Sequence, residues 1–530
     1  MDRGLAMAPD APVITSVVEM VSRFSVELTA AVPDWEARLK AEPDDLEQIE
    51  QEVHALTSRG ADMVICGLLS VAMQDRATEE RSRTLRKKFS YSLDRGRDRK
   101  VCVKLFSGLV VWMCSLYCQP KRRLLSKKGE EKHPGQHLDA AQFGIADGVS
   151  PGLSSRVARQ AALCPSFEFA HEELARSGVT LDPKTVRRIA YDLGAKLLRC
   201  RKLRIDQWHE GALEAGNELK GKRVAVQVDG GRTKIRGKLR AALKRKLKRN
   251  EDDLVIEDAP ARSKKVPKKG YDADWREPKL LTIFVHDENG KMDKKFEATI
   301  DGTLLGPDAI AELAAMHLHR LGAAQAKSVT FCGDGAPWIW DRVPMIIEKA
   351  KLEKVAVHEV LDNCHAAHHI SLALAALGLN DEQRMLLYRD QRTRLRNGQW
   401  KRVVEELQEL AEGAPEDSKI HTEIAYLEKH GKAGRLNYVH FTRLGIPRGS
   451  GAVESSIRRV INLRMKNNAT FWRHDNAEIM LQLRAQVISK RWDERVKDVR
   501  KMCRNDARTD WAWEPVPMSC KDEANLTTSV

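Results

Sequence analysis

Long apolar runs, paired cysteines and a leader-like start are all missing from this sequence. The longest apolar run, Met63 to Met73, is broken by Gly67 and Ser70. It falls short of the ~18 residues that a spanning helix needs. The chain starts Met1-Asp2-Arg3 and meets Pro9 and Pro12 early, unlike a secretory leader. Its 10 cysteines are scattered without a repeated Cys-x-x-Cys pair, the usage of reduced cytosolic thiols. Secreted, membrane-spanning and disulfide-stapled classes are therefore not expected. What is present is length, core-forming residues and positive charge. A chain of 530 residues with 42% hydrophobic content is multidomain and buries a sizeable core. Its net charge of +15 favours polyanionic partners, nucleic acid above all.

Helices are expected over residues 14 to 75. Leu46, Ile49, Val53 and Leu56 recur on a segment opened by Pro43-Asp44-Asp45. Val101, Val103 and Leu105, then Leu109-Val110-Val111 after Gly108, predict a β-hairpin. Cys114 and Cys118 lack the second ligand pair of a zinc site, and Lys121 to Gly135 reads as a basic linker. Phe167, Ala170 and Leu174 mark one helix face, and Ser177-Gly178-Val179 makes a turn. Asp182-Pro183 caps a second helix with Val186, Ile189 and Leu193 inside. This is a helix-turn-helix layout, projecting Lys184, Arg187 and Arg188 toward DNA; an ordinary helical hairpin with a basic face gives the same pattern.

An α/β stretch follows. Arg223 to Val228 reads as a buried strand ending at Asp229-Gly230-Gly231, and residues 232–276 as a mobile insertion or long hairpin. Strands are expected at Leu280 to Val285, Phe296 to Ile300, Ser328 to Cys332 and Val355 to Val357. A helix is expected over Pro307 to Leu321, and residues 380–435 are helical and charged.

Asp229 and Asp334 share one context, each after an apolar strand and before glycine. Strand ends are where α/β sites collect, and carboxylates there suit a hard cation such as Mg²⁺. Each Asp-Gly alone is also an ordinary turn. Glu454 lies beside the apolar stripe of Val453, Ile457, Val460 and Ile461, and an i,i+4 pair with Arg458 is its structural alternative. Gly449-Ser450-Gly451 opens that helix with backbone N–H groups suited to phosphate. Arg448, Arg458, Arg459, Arg464 and Lys466 add charge, and Trp472 offers a stacking face. Cys364, His365, His368 and His369 form an alternative zinc set, although helical neighbours about 100° apart share an ion poorly.

Four segments in order carry a resemblance: Val-Gln-Val-Asp229-Gly-Gly, Cys-Gly-Asp334-Gly-Ala-Pro-Trp-Ile, Asp362-Asn-Cys-His365 and Gly-Ser-Gly-Ala-Val-Glu454-Ser-Ser. From about residue 150 to 490 the chain resembles bacterial insertion-sequence DDE transposases of the ISKra type, in the Mutator-like superfamily. Of the cysteine pair such chains carry near Tyr117, only Cys118 is present. The resemblance implies a multidomain α/β fold, with an RNase-H-like mixed sheet flanked by helices and interrupted by an all-α insertion. It divides the chain into a helical region (1–85), a hairpin and basic linker (86–150) and a helix-turn-helix-like domain (151–215). The catalytic domain follows in two parts (222–379 and 436–495) around the insertion (380–435), with a tail at 496–530.

It further implies catalytic and metal-binding roles for Asp229, Asp334 and Glu454, holding two Mg²⁺ (or Mn²⁺) ions, with Asp362 and His365 as accessory residues. The implied partners are terminal inverted repeats, target DNA and a second copy of the chain, in a homodimer or higher homo-oligomer. The implied setting is cytoplasmic and nucleoid-associated. The alternatives are a decayed or domesticated transposase that only binds DNA, and an RNase-H-like nuclease without strand transfer.

Overall fold

The computed structural model describes residues 3–88, 97–118, 136–146, 148–236, 273–467 and 470–505. The linker expected at Lys121 to Gly135 lies outside them, as does most of the 232–276 segment. The chain divides into two units, Met1–Cys200 with Asp493–Val530, and Arg201–Trp492. The boundary falls inside one helix, Pro183–His209.

In the first unit, helices Val17–Ala41 and Leu46–Gln74 pair as a hairpin. Ser16 caps the first by accepting from the Val18 N–H. Strands β1 (Gly4–Ala6), β2 (Arg97–Lys104), β3 (Val110–Cys118) and β4 (Gln136–His137) form an antiparallel sheet in the order β1-β3-β2, with β4 also on β3. Met63, Cys66 and Met73 pack against Val103, Val111 and Met113 of this sheet. Buried Asp62 ties helix to hairpin by accepting from the Ser107 and Leu109 N–H groups. By length and composition alone the segment Pro43–Gln74 passes the test for a membrane span, a test that the core helix of a soluble protein also passes. Within it Ser70 is buried, donating to the Ile14 carbonyl. Helix Phe167–Arg176 is followed by Gly178 at φ +83°. Asp182 then caps the helix from Pro183, accepting from the Lys184 and Thr185 N–H groups.

The second unit is built on a five-stranded mixed sheet, β11-β10-β5-β8-β9. Its members are β5 (Arg223–Gly230), β8 (Lys279–His286), β9 (Thr299–Thr303), β10 (Ser328–Gly333) and β11 (Ala356–Leu361). The first three form an antiparallel meander, and β10 and β11 continue it in parallel with β5. Parallel strands are covered on both faces, hence their continuous apolar runs. Val226, Phe331 and Val360 share a core with Leu313 and Met316 of helix Pro307–Leu321 and Ile370 of helix Asn363–Ala375. A small ribbon, β6 (Thr233–Arg236) with β7 (Ala273–Arg276), lies at the start and end of the basic segment. The charged stretch 380–435 is three helices, Asp381–Arg396, Trp400–Leu410 and Lys419–Lys432. Helix Trp492–Asn505 enters the region expected as a tail.

The strand expected at Phe296 to Ile300 is instead Thr299–Thr303. Its sequence Thr-Ile-Asp-Gly-Thr hides the strand because the inward polar group, Asp301, is neutralised from outside the strand. Arg201 donates to Asp301 at 3.0 Å and to Glu478, on helix His474–Ile488, at 2.6 Å. His317 approaches the other Asp301 oxygen at 2.9 Å. All four residues are buried.

Candidate active site

Three aspartates stand in one row. Cys332 pairs with Gln227 on the parallel strands β10 and β5, and Gly333 with Leu361 on β10 and β11. One or two residues further on, the same register brings Asp229, Asp334 and Asp362 to the same edge of the sheet. Each terminal turn is held. The Asp229 carboxylate accepts from its neighbour's Gly230 N–H at 2.6 Å. Asp334 accepts from the Ala336 N–H at 3.0 Å, and its carbonyl accepts from the Trp340 indole at 2.8 Å. Asp362 caps helix Asn363–Ala375 through the Cys364 and His365 N–H groups.

Glu454 is brought to this edge by a side chain inside the sheet. Gln227 is buried in the apolar run of β5, where an amide needs partners. It donates to the Gly449 carbonyl at 2.8 Å and accepts from the Val453 N–H at 3.0 Å, fastening helix Gly451–Ile457 to the strand that ends in Asp229. Ser450 links the acids: its hydroxyl lies against Asp362 and at 2.9 Å from Glu454. His365 Nε2 is 3.9 Å from Glu454. Directly after this helix, Arg458–Asn462 is wound as a π-helix, a distortion that recurs at functional sites.

Electrostatics tie the three carboxylates together. Burial, followed by the charges of Asp334 and Glu454, pushes Asp229 up to about 6, against the opposing Gly230 hydrogen bond and His365. Asp229 and Asp334 are half-buried and Glu454 is exposed. Among the described residues, no three His, Cys, Asp or Glu side chains are drawn in around a single metal position. The zinc set of Cys364, His365, His368 and His369 is likewise not assembled: Cys364 and His368 are exposed, and His369 is engaged by Glu423.

Two residues missed by sequence reasoning stand behind Asp334. Tyr426 of the helical insertion lies against Gly335, where a Cβ would meet its hydroxyl at 2.0 Å. The ring is stacked on His369 at 3.5 Å and tilted against His430 at 4.7 Å. Burial holds His430 down to about 4, with Arg435 adding to it. Only Asp334-Gly335, with its need for close approach, hinted at this packing.

Of the N–H groups of Gly449-Ser450-Gly451, that of Ser450 donates to Asp362. Glu454 meets Ser450 and His365, not Arg458, its structural alternative. One expectation is corrected. Trp472 and Arg464 are buried and offer no surface to DNA. The Trp472 indole donates to the Met465 carbonyl at 3.1 Å, with Arg464 over the ring at 5.3 Å. Arg448, Arg458, Arg459 and Lys466 are exposed in this unit, and Lys184 and Arg187 in the other, where Arg188 is half-buried. Comparison with family models, curated proteins and solved structures finds no match to this chain.

Proposed function

We propose that the chain is a DDE transposase, an RNase-H-like enzyme that cleaves DNA at the ends of its element and joins the freed end to a target. The observation that carries this reading is the convergence of Asp229, Asp334 and Glu454 from distant parts of the sequence at one sheet edge, where burial, and after it the two neighbouring charges, push Asp229 up to about 6. Two other observations support it: the meander continued by two parallel strands, and a helical insertion between the second Asp and Glu.

A divalent cation fits this donor set in kind. The three groups are oxygen ligands whose charges repel one another, and among the described residues no cationic side chain is hydrogen-bonded to Asp229. Asp229, Asp334 and Glu454 would hold Mg²⁺ or Mn²⁺, which would supply Lewis-acid polarisation of a phosphodiester. The chain's own residues do the positioning. Gln227 fixes the helix of Glu454 to the strand of Asp229, Ser450 couples Asp362 to Glu454, and Tyr426 packs beneath Asp334-Gly335. Exposed arginines and lysines would neutralise phosphates independently of sequence, and the Lys184–Arg187 face would grip the terminal repeats. Joining two ends calls for more than one copy of the chain.

The test is cleavage and strand transfer of labelled DNA taken from the borders of the reading frame, with Mg²⁺. Asp334→Ala should bind the end and leave it intact; undiminished nicking would remove the catalytic role. Cleavage without joining would favour a nuclease.

A further inference from the structure

The β6–β7 ribbon carries a second cluster, distinct from the carboxylates. Beyond the last β5–β8 pair, Gly230 with Lys279, the Gly231 N–H donates to the Pro278 carbonyl, and the ribbon continues outward with Lys234 opposite Trp275. Strand alternation sorts its side chains. Thr233 and Ile235 are buried, and Lys234 and Arg236 take the other face. Trp275 is 52% exposed. Lys234 Nζ lies 5.0 Å from the Trp275 ring and 5.6 Å from Phe471, and the Arg236 guanidinium is 5.8 Å from Phe471. The segment bearing Phe471 is fastened along the ribbon: Trp472 N–H donates to the Lys234 carbonyl, and its own carbonyl accepts from Arg236 N–H. Trp472, expected to stack on DNA, is therefore the buried anchor, and its neighbours present the aromatic surface.

A half-exposed indole beside two cations matches the two halves of an unpaired nucleotide. The base has a π-face for the ring, and the flanking phosphates have charge for lysine and arginine. A base inside a duplex has no free face to offer, so the fit is to a single strand. At ~3.3 Å per residue, Lys234 is at most about 17 Å along the chain from Asp229, a span of a few nucleotides. We propose that Trp275, with Lys234, Arg236 and Phe471, is a stacking platform for an unpaired DNA base next to the carboxylate site. Its place in catalysis rests on the transposase reading; the binding does not.

Fluorescence anisotropy of the full chain with labelled oligo(dT), in EDTA, tests it. Trp275→Ala should weaken binding about fivefold to a hundredfold, and Trp275→Phe should keep most of the affinity. Duplex and abasic strands should bind both variants like the wild type. Thermal melts check that these surface variants stay folded. Equal oligo(dT) affinity for Trp275→Ala and wild type overturns the platform, as does an equal loss on abasic DNA; a peptide-binding ribbon would give the first result. Because no metal is present, Asp334→Ala should bind oligo(dT) normally. If the wild type then fails to cleave DNA in Mg²⁺, the enzyme reading falls while the platform stands.

Discussion

Two groups of acids in the Arg201–Trp492 unit face opposite electrostatic fates. Asp301, on edge strand β9, would be raised by burial, but Arg201 and His317 hold it well below the usual carboxylate range. Asp229, at the end of central strand β5, is pushed up to about 6 by burial and then by the charges of Asp334 and Glu454. One cluster is neutralised by the chain itself and acts as structure. The other keeps an excess of negative charge at a solvent-accessible edge, which is what a cation site or a proton-sharing site requires. Burial raises both Asp229 and Asp301; compensation distinguishes them.

The contrast can be broken from either side. The largest effect is expected at the uncompensated cluster, where Glu454→Gln should lower Mg²⁺-dependent cleavage by at least about a thousandfold with end binding kept. Comparison of cleavage rates with gel-shift affinity reads both. At the compensated cluster, Arg201→Met strands two buried carboxylates and should destabilise this unit by about 3–5 kcal/mol, measured by urea unfolding. The pH dependence has a definite sign. Asp301's depressed pKa gives stability that is present at neutral pH and lost as pH falls below the ordinary carboxylate range. Arg201→Met should flatten that acid limb.

Gly335→Ala sharpens the comparison further, because its Cβ would collide with Tyr426. Cleavage should fall about tenfold or more through displacement of Asp334, and Tyr426→Ala in the same chain should restore part of it. The smallest effect has the opposite sign to most substitutions. Asp229 ionises less readily folded than unfolded, so its charge opposes folding above about pH 6 and ceases to do so below about pH 4. In metal-free buffer at neutral pH, Asp229→Asn should therefore stabilise the protein by ~1–2 kcal/mol after allowance for solvent screening. Urea midpoints at neutral and mildly acidic pH check it.

The parallel strands and their terminal Asp-Gly turns were legible because both faces of β5 and β10 are covered, giving runs such as Val224 to Val228. Pro307–Leu321 was equally legible, with Pro at its start and Gly322 in a left-handed cap. Strand β9 was displaced because Asp301 looks like a loop residue until Arg201, a hundred positions earlier, is known to reach it. The same holds at the site. Gln227 reads only as one residue of a buried strand, and the fold reveals it as the clasp on the helix of Glu454. Trp472 carries the right side chain for stacking in a place where the fold buries it, and Trp275 lies in the stretch read as a mobile insertion or long hairpin, whose ends pair as β6 and β7. Long-range pairing, rather than local pattern, decided each of these.

The uncompensated charge of the three carboxylates is tested most directly by isothermal titration of Mn²⁺ into the full chain and into Asp334→Ala. Wild-type protein should bind the cation with its carboxylate-dependent affinity, and the variant should lose most of that binding while melting normally. Indistinguishable titrations, or none in either protein, would contradict the account and leave the row of acids as strand-end turns on a basic scaffold.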